Sequence, residues 1–209
     1  MFDAVLFDLD GTLIDTESLA LGAGMQAFAA LGMPVSTDFM HGLVGLDEPS
    51  GAAIIAAHFP DLDQTALNLH WRGSFRTAMA EGLRMKQGAR DLLAQIALPV
   101  ALVTSSGRDS AHYKLGLVGL TSHFAHVITL DDVTQAKPAP APYLLAAERL
   151  GVAPARCLVF EDSETGAEAA HRAGCRVVQV PDVVPSTGRW AHHLAETLLD
   201  GARAAGLRL

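Results

Sequence analysis

Short apolar runs recur along this chain, separated by stretches that are apolar on one side only. The runs are Ala4–Phe7, Val100–Val103, His126–Leu130, Leu158–Phe160 and Val177–Val180. Each is too short for a helix and closes on a turn signal, which predicts buried strands. Between the later runs lie Ala89–Leu98, Ser110–Val118, Tyr143–Leu150 and Glu164–Ala173, each with helical spacing and an end near Gly or Pro. Strands alternating with amphipathic helices predict right-handed βαβ units and a mostly parallel sheet, so the fold class is α/β.

The stretch from Thr16 to Arg84 breaks this rhythm. It holds no β-rich run, and Leu19–Leu31, Pro49–His58 and Gln64–Met79 read as helices punctuated by Gly42, Gly45, Pro49, Gly51 and Pro60. A helical block of this size is too long for a connecting loop. It predicts an all-helical cap domain, residues 16–84, inserted into a core built from residues 1–15 and 85–209. No internal repeat or low-complexity segment interrupts this organisation.

Composition narrows the function classes. Half of the 209 residues are apolar and 18% are charged, ample for a buried core. A formal net charge of −8 argues against a nucleic-acid partner, which would need a basic face. An anionic substrate stays compatible, because a local cation can reverse the field inside a pocket. Cys157 and Cys175 are too few for a disulfide framework or a zinc site, and reduced core thiols are expected. Met1-Phe2-Asp3 leads straight into a strand, without a secretory signal, and no apolar run approaches the ~18 residues of a membrane helix. The expectation is a soluble cytoplasmic protein with no membrane partner; nothing in the sequence selects an oligomeric state.

The chemistry gathers at strand ends. Asp8-Leu9-Asp10-Gly11-Thr12 closes the first run, a pattern expected by chance on the order of once per 10⁵ positions. In open α/β sheets ligands bind beyond the carboxyl ends of the strands, where these two acids emerge. Thr104-Ser105-Ser106-Gly107 follows the second run and offers hydroxyls and backbone N–H groups suited to phosphate oxygens, or simply a helix N-cap. Lys137-Pro138 follows the third run after Asp131-Asp132. Glu161-Asp162-Ser163 closes the fourth and precedes a helix, which acids at its N-terminus would also favour. Parallel strands would bring these ends to one rim, crowding Asp8, Asp10, Glu161 and Asp162. Two like charges at 4 Å repel by roughly 4 kcal/mol at an effective dielectric of 20, so the group requires a cation. Oxygen-only ligands with open positions suit Mg²⁺, and Lys137 adds a positive charge for the same anion. Metal, lysine, hydroxyls and paired acids together describe phosphoryl transfer.

The order D-x-D-G-T, strand-end Thr/Ser, Lys-Pro and Glu-Asp before a helix resembles the haloacid dehalogenase-like hydrolase superfamily. More narrowly, it resembles the subgroup with a helical cap inserted after the first motif. The resemblance covers essentially the whole chain and includes Gly166-Ala167-Glu168-Ala169-Ala170 leading to Ala173-Gly174. It implies a Rossmann-like core and a phosphatase using Mg²⁺. Asp8 would be the nucleophile, forming an aspartyl-phosphate. Asp10 would be general acid and then base, its protonated form favoured by neighbouring carboxylates. Mg²⁺ would be held by the Asp8 carboxylate, the Asp10 carbonyl and Asp162, with Glu161 behind them. Thr104, Lys137 and the amides around Leu9 and Ser105 would hold the transferring oxygens.

Asp10 separates this chain from dehalogenating relatives, whose halide leaves without a proton. Phosphonate-cleaving members use a cap lysine instead. Sugar-phosphate mutases of the beta-phosphoglucomutase type place a histidine early in the cap and cations in a cap loop. Here the cap opens Glu17-Ser18-Leu19-Ala20, and the aligned Gly42–Glu48 has no positive charge. Hydrolysis of a small phosphorylated metabolite, a sugar or sugar-acid phosphate, is therefore the expectation. Mutase activity and a non-catalytic phosphate-ligand binding protein are the alternatives. Two departures from the family pattern, Ala141-Pro142 after Pro140 and Gln87-Gly88 where Pro-Gly is common, remove no catalytic group. His41, His58 and His70 read as partly exposed structural residues, and Arg72, Arg76, Arg84 and Lys86 as a solvated face.

Overall fold

The structure, a computed structural model, describes residues 1–43 and 48–209. The chain runs through β1 (Ala4–Phe7) into α1 (Glu17–Ala30), α2 (Thr37–His41), α3 (Glu48–His58) and α4 (Gln64–Gly82). It continues through α5 (Ala89–Gln95), β2 (Val100–Val103), α6 (Arg108–Leu117), β3 (His126–Ile128) and α7 (Ala141–Leu150). It ends with β4 (Cys157–Glu161), α8 (Glu164–Arg172), β5 (Arg176–Gln179), β6 (His193–Leu194) and α9 (Leu198–Ala204). Contacts divide these elements into two units, Met1–Asp15 with Arg84–Leu209, and Thr16–Leu83.

The first unit is built on one sheet in the order β3-β2-β1-β4-β5-β6, with every neighbouring pair parallel. The predicted α/β architecture is the observed one. Parallel sheets are covered on both faces, which is why their strands are continuous apolar runs. All four β1 residues are fully buried. Ala4 and Leu6 join Ala101, Val103, Ile128 and Val159 in a core closed by Tyr143, Ala146 and Ala147 of α7 and Ala167 and Ala170 of α8. On the other face Phe7 stacks on Phe160 at 5.0 Å and 10°, an arrangement worth about 1 kcal/mol beyond area burial. There Gly201 of α9 lies against Val178 and Phe160.

Some boundaries depart from the sequence reading. The run His126–Leu130 gives a strand only to Ile128, because the next residues form a tight turn. Thr129 N and Oγ1 both donate to Asp132 Oδ2, at 2.9 and 2.7 Å, and this capping competes with the ladder. The short elements α2, α9 and β6 were not expected. The first two are started by side chains, Ser36 accepting from Phe39 N and Thr197 from Asp200 N.

The second unit is all helical among the described residues. Its core is Ala27, Phe28, Met40, Ile55, Leu62 and Leu67, with Phe39, Phe59 and Trp71 packed against it. Asp63 starts α4 by accepting from Thr65 N and Ala66 N at 2.9 and 3.0 Å. Trp71 Nε1 ties α4 to α1 by donating to Ala20 O at 3.0 Å. Among the described residues no helix is long and apolar enough to cross a membrane.

Candidate active site

Register brings the strand ends together. Phe7 pairs with Leu102 on one side and Phe160 on the other, so Asp8 leaves the sheet between β2 and β4. Asp8 N extends the ladder by donating to Phe160 O at 3.0 Å, and Thr104 N does the same to Ile128 O at 2.9 Å. Glu161 ends β4 opposite Gln179, with Asp162 next in the chain. Strand alternation continues into these residues. Asp8 follows Leu6, and Glu161 follows Val159, on the face covered by α7 and α8.

The turn after β1 is held by Leu13 N and Ile14 N donating to Leu9 O, and Gly11 N donating to Ile14 O. Gly11 has φ +83°, and a Cβ there would lie 2.3 Å from Asp162 Oδ2. Only glycine allows both the turn and the approach of that carboxylate. Thr12 Oγ1 donates to Asp162 Oδ1 at 3.1 Å. Leu9 is fully buried, so only its backbone can serve a ligand.

Lys137 sits inside the site, its side chain 4% exposed. Its ammonium donates to Asp8 Oδ1 at 2.7 Å, Glu161 Oε1 at 2.6 Å and Val103 O at 3.0 Å. All three donors are thereby used, which makes a buried lysine tolerable. Glu161 also accepts from Tyr143 OH at 2.5 Å and from Ser163 Oγ at 3.2 Å. Its carboxylate fits because residue 166 is glycine: a Cβ at Gly166 would lie 1.9 Å from Glu161 Oε1.

Asp8, Glu161 and Asp162 each offer a carboxylate oxygen within 4.8 Å of the others. Burial raises Asp8 well above the usual carboxylate range; Lys137 opposes this, and the charges of Glu161 and Asp162 add to it. Burial and then Glu161 push Asp162 up to about 8, against the Thr12 hydrogen bond. Burial acts to lower the Lys137 pKa, but Asp8 and Glu161 outweigh it and raise it. With all three carboxylates ionised beside one lysine, two negative charges would be in surplus, and a divalent cation would neutralise them. The donors are all oxygen, the chemistry of Mg²⁺ or Ca²⁺ rather than of soft metals. The acidic cluster can hold a metal ion.

Asp10 departs from the sequence expectation. Its carboxylate is not among the three whose oxygens lie within 4.8 Å of one another. It faces Lys114 and Ser106 instead, accepting from Lys114 Nζ at 2.7 Å and from Ser106 Oγ at 2.9 Å. In the 104–107 loop Thr104 is buried and its Oγ1 accepts from Ser106 N at 3.0 Å. Ser105 is exposed, so the side chain turned toward the first motif is that of Ser106.

Sequence reasoning missed Lys114 and Tyr143. A signal for Lys114 was present: it falls between Ala111, Leu115 and Val118, the buried stripe of α6, where a solvated lysine has no place. Among the weaker candidates, His41 and His70 are exposed, and His58 stays structural, its ring against Phe39 and Nδ1 on Ile54 O. Lys86 pairs with Asp182. Of the cation-free loop Gly42–Glu48, residues 44–47 lie outside the described residues.

Residues 5–180 match the haloacid dehalogenase-like hydrolase family. A phosphorylated carbohydrates phosphatase of Thermotoga maritima is 34% identical over 178 residues, 82% of each chain. The fructose-1-phosphate phosphatase YqaB of Escherichia coli is 31% identical over 191 residues, 86% of this chain and 96% of the other. A hydrolase of Deinococcus radiodurans, solved with bound phosphate and sodium, superposes with a TM-score of 0.85 at 28% identity, covering 98% of this chain and 94% of that one. With four motifs at one sheet edge and a match running through most of its length, the chain belongs to the haloacid dehalogenase-like hydrolase family.

Proposed function

We propose that this protein is a Mg²⁺-dependent phosphatase of the cytoplasm. It hydrolyses a small phosphorylated metabolite, a sugar or sugar-acid phosphate, through an aspartyl-phosphate. The observation that carries this reading is the pairing of two different carboxylates at one strand end. Asp8 is buried against Lys137, while Asp10, two residues on, is a quarter exposed. In this reading the buried one attacks and the more exposed one exchanges protons.

Asp8 attacks phosphorus and the bond to the leaving oxygen breaks, while Asp10 gives its proton to that oxygen so that a neutral alcohol departs. Water then attacks the aspartyl-phosphate, Asp10 takes its proton, and the bond from phosphorus to Asp8 breaks to release orthophosphate. Lys137 and the Thr104 hydroxyl, with the amides of Leu9 and Ser105, hold the transferring oxygens. Mg²⁺, held by the Asp8 carboxylate, the Asp10 carbonyl and Asp162, would cancel repulsion between the nucleophile and an anionic substrate. Glu161 orients Lys137 from behind. In this reading the helical unit Thr16–Leu83 is the cap that selects the alcohol.

Two relatives named as phosphatases of phosphorylated carbohydrates and of fructose 1-phosphate support this substrate class. Orthophosphate release from a panel of phosphorylated sugars, sugar acids and nucleotides tests it. Turnover is expected with Mg²⁺, abolished by chelation and lost in Asp8→Asn. Isomerisation of β-glucose 1-phosphate without phosphate release would replace the reading with a mutase.

A further inference from the structure

Lys114 is buried, its side chain 7% exposed, yet it stands in the core-facing stripe of α6 between Ala111, Leu115 and Val118. An ammonium at such a position costs stability unless an anion pairs with it, and an apolar residue would fill the stripe without that cost. The anion is Asp10. Lys114 Nζ donates to Asp10 Oδ1 at 2.7 Å and to Ser106 Oγ at 2.9 Å, and Ser106 Oγ donates to Asp10 Oδ2 at 2.9 Å. Lysine, serine and carboxylate thus close a hydrogen-bonded ring in which both oxygens of Asp10 are engaged. The terminal torsion of an aspartate is otherwise broad, so a carboxylate on a loop would sweep through many orientations. Here its plane is fixed from behind while a quarter of the side chain stays open.

We infer that Lys114 and Ser106 are positioning residues that aim the Asp10 carboxyl at the leaving oxygen of the substrate. The inference rests on the reading of Asp10 as the proton carrier. Proton transfer needs heavy atoms within about 2.6–3.2 Å, a tolerance that a freely turning carboxylate meets only part of the time. Ser106 sits two residues beyond Thr104, and Thr104 Oγ1 accepts from Ser106 N, so the loop that presents Ser106 is itself fixed by the strand end.

The test compares two leaving groups at saturating Mg²⁺ in single turnover. Nitrophenolate leaves without a proton, whereas an alkoxide must receive one. Asp10→Asn serves as reference: it should slow an alkyl phosphate by 10²-fold or more while slowing the nitrophenolate burst far less. Lys114→Met should show the same split at about 10- to 100-fold, Ser106→Ala a smaller split in the same direction, and Lys114→Arg a partial return. If Asp10→Asn shows the split and the other variants slow both substrates equally, or neither, the inference fails and the role of Asp10 stands. If Asp10→Asn shows no split, the role of Asp10 itself fails. Should Lys114→Met not fold, Ser106→Ala decides alone, since equal slowing of both substrates overturns the assignment.

Discussion

Glycine 166 shows how a single position carries the acid pocket. Exchanging a helical glycine for alanine ordinarily gains about 1 kcal/mol. Here the added methyl would lie 1.9 Å from Glu161 Oε1, and that carboxylate cannot move without leaving Lys137, Tyr143 and Ser163. Breaking a buried ion pair costs about 3–5 kcal/mol, so the loss exceeds the gain. Gly166→Ala should destabilise by about 2 kcal/mol or more in urea unfolding. Gly116→Ala on α6, where a Cβ meets nothing within 4 Å, should be neutral or slightly stabilising. Tyr143→Phe isolates one thread of this network. It withdraws a hydroxyl from a fully buried carboxylate and should cost about 1–3 kcal/mol by the same measurement.

Among the elements, legibility followed periodicity and burial. β1 and β2 are apolar and buried throughout, and β4 is so up to its last residue, so Asp8, Thr104 and Glu161 fall at strand ends as the pattern predicts. Lys114 escaped notice because its partner lies 104 positions away, and spacing along one helix cannot reveal a partner on another element. The third strand was overextended for a different reason: Leu130 is apolar, but Thr129 and Asp132 had already committed the backbone to a turn. That turn gives a pH dependence with a definite sign. Burial would raise the Asp132 pKa, but hydrogen bonds from Thr129 Oγ1 and N, together with the charge of Arg108, bring it below its ordinary value. The folded protein therefore binds this proton less readily than the unfolded chain. The stabilisation is complete above about pH 4 and is lost as pH falls through the lower folded value. Thermal melts of wild type and Asp132→Asn should differ most near neutrality and converge as the pH drops from about 5 to 3.

At the scale of the molecule, the strand order explains why acids so far apart in sequence share one site. The chain lays β2 and β3 on one side of β1 and then β4 and β5 on the other, so the crevice opens beyond β1 and β4, where the winding reverses. Asp8 and Asp162 emerge there, and the surplus charge they create with Glu161 burdens the fold as well as serving the site. A divalent ion that binds only the folded state removes that burden. At a hundred times its dissociation constant it adds about 2.7 kcal/mol of stability. For a chain of this length that corresponds to roughly 5–10 °C in the melting temperature. Asp162→Asn keeps an oxygen to accept from Thr12 but carries no charge. The variant should therefore melt higher than wild type in the presence of a chelator, and its melting temperature should rise little when Mg²⁺ is added. Calorimetry of both proteins with and without the ion separates the two effects. A variant that responded to Mg²⁺ as strongly as wild type would place the ion elsewhere, and one less stable than wild type without metal would mean that the three carboxylates do not strain the folded state.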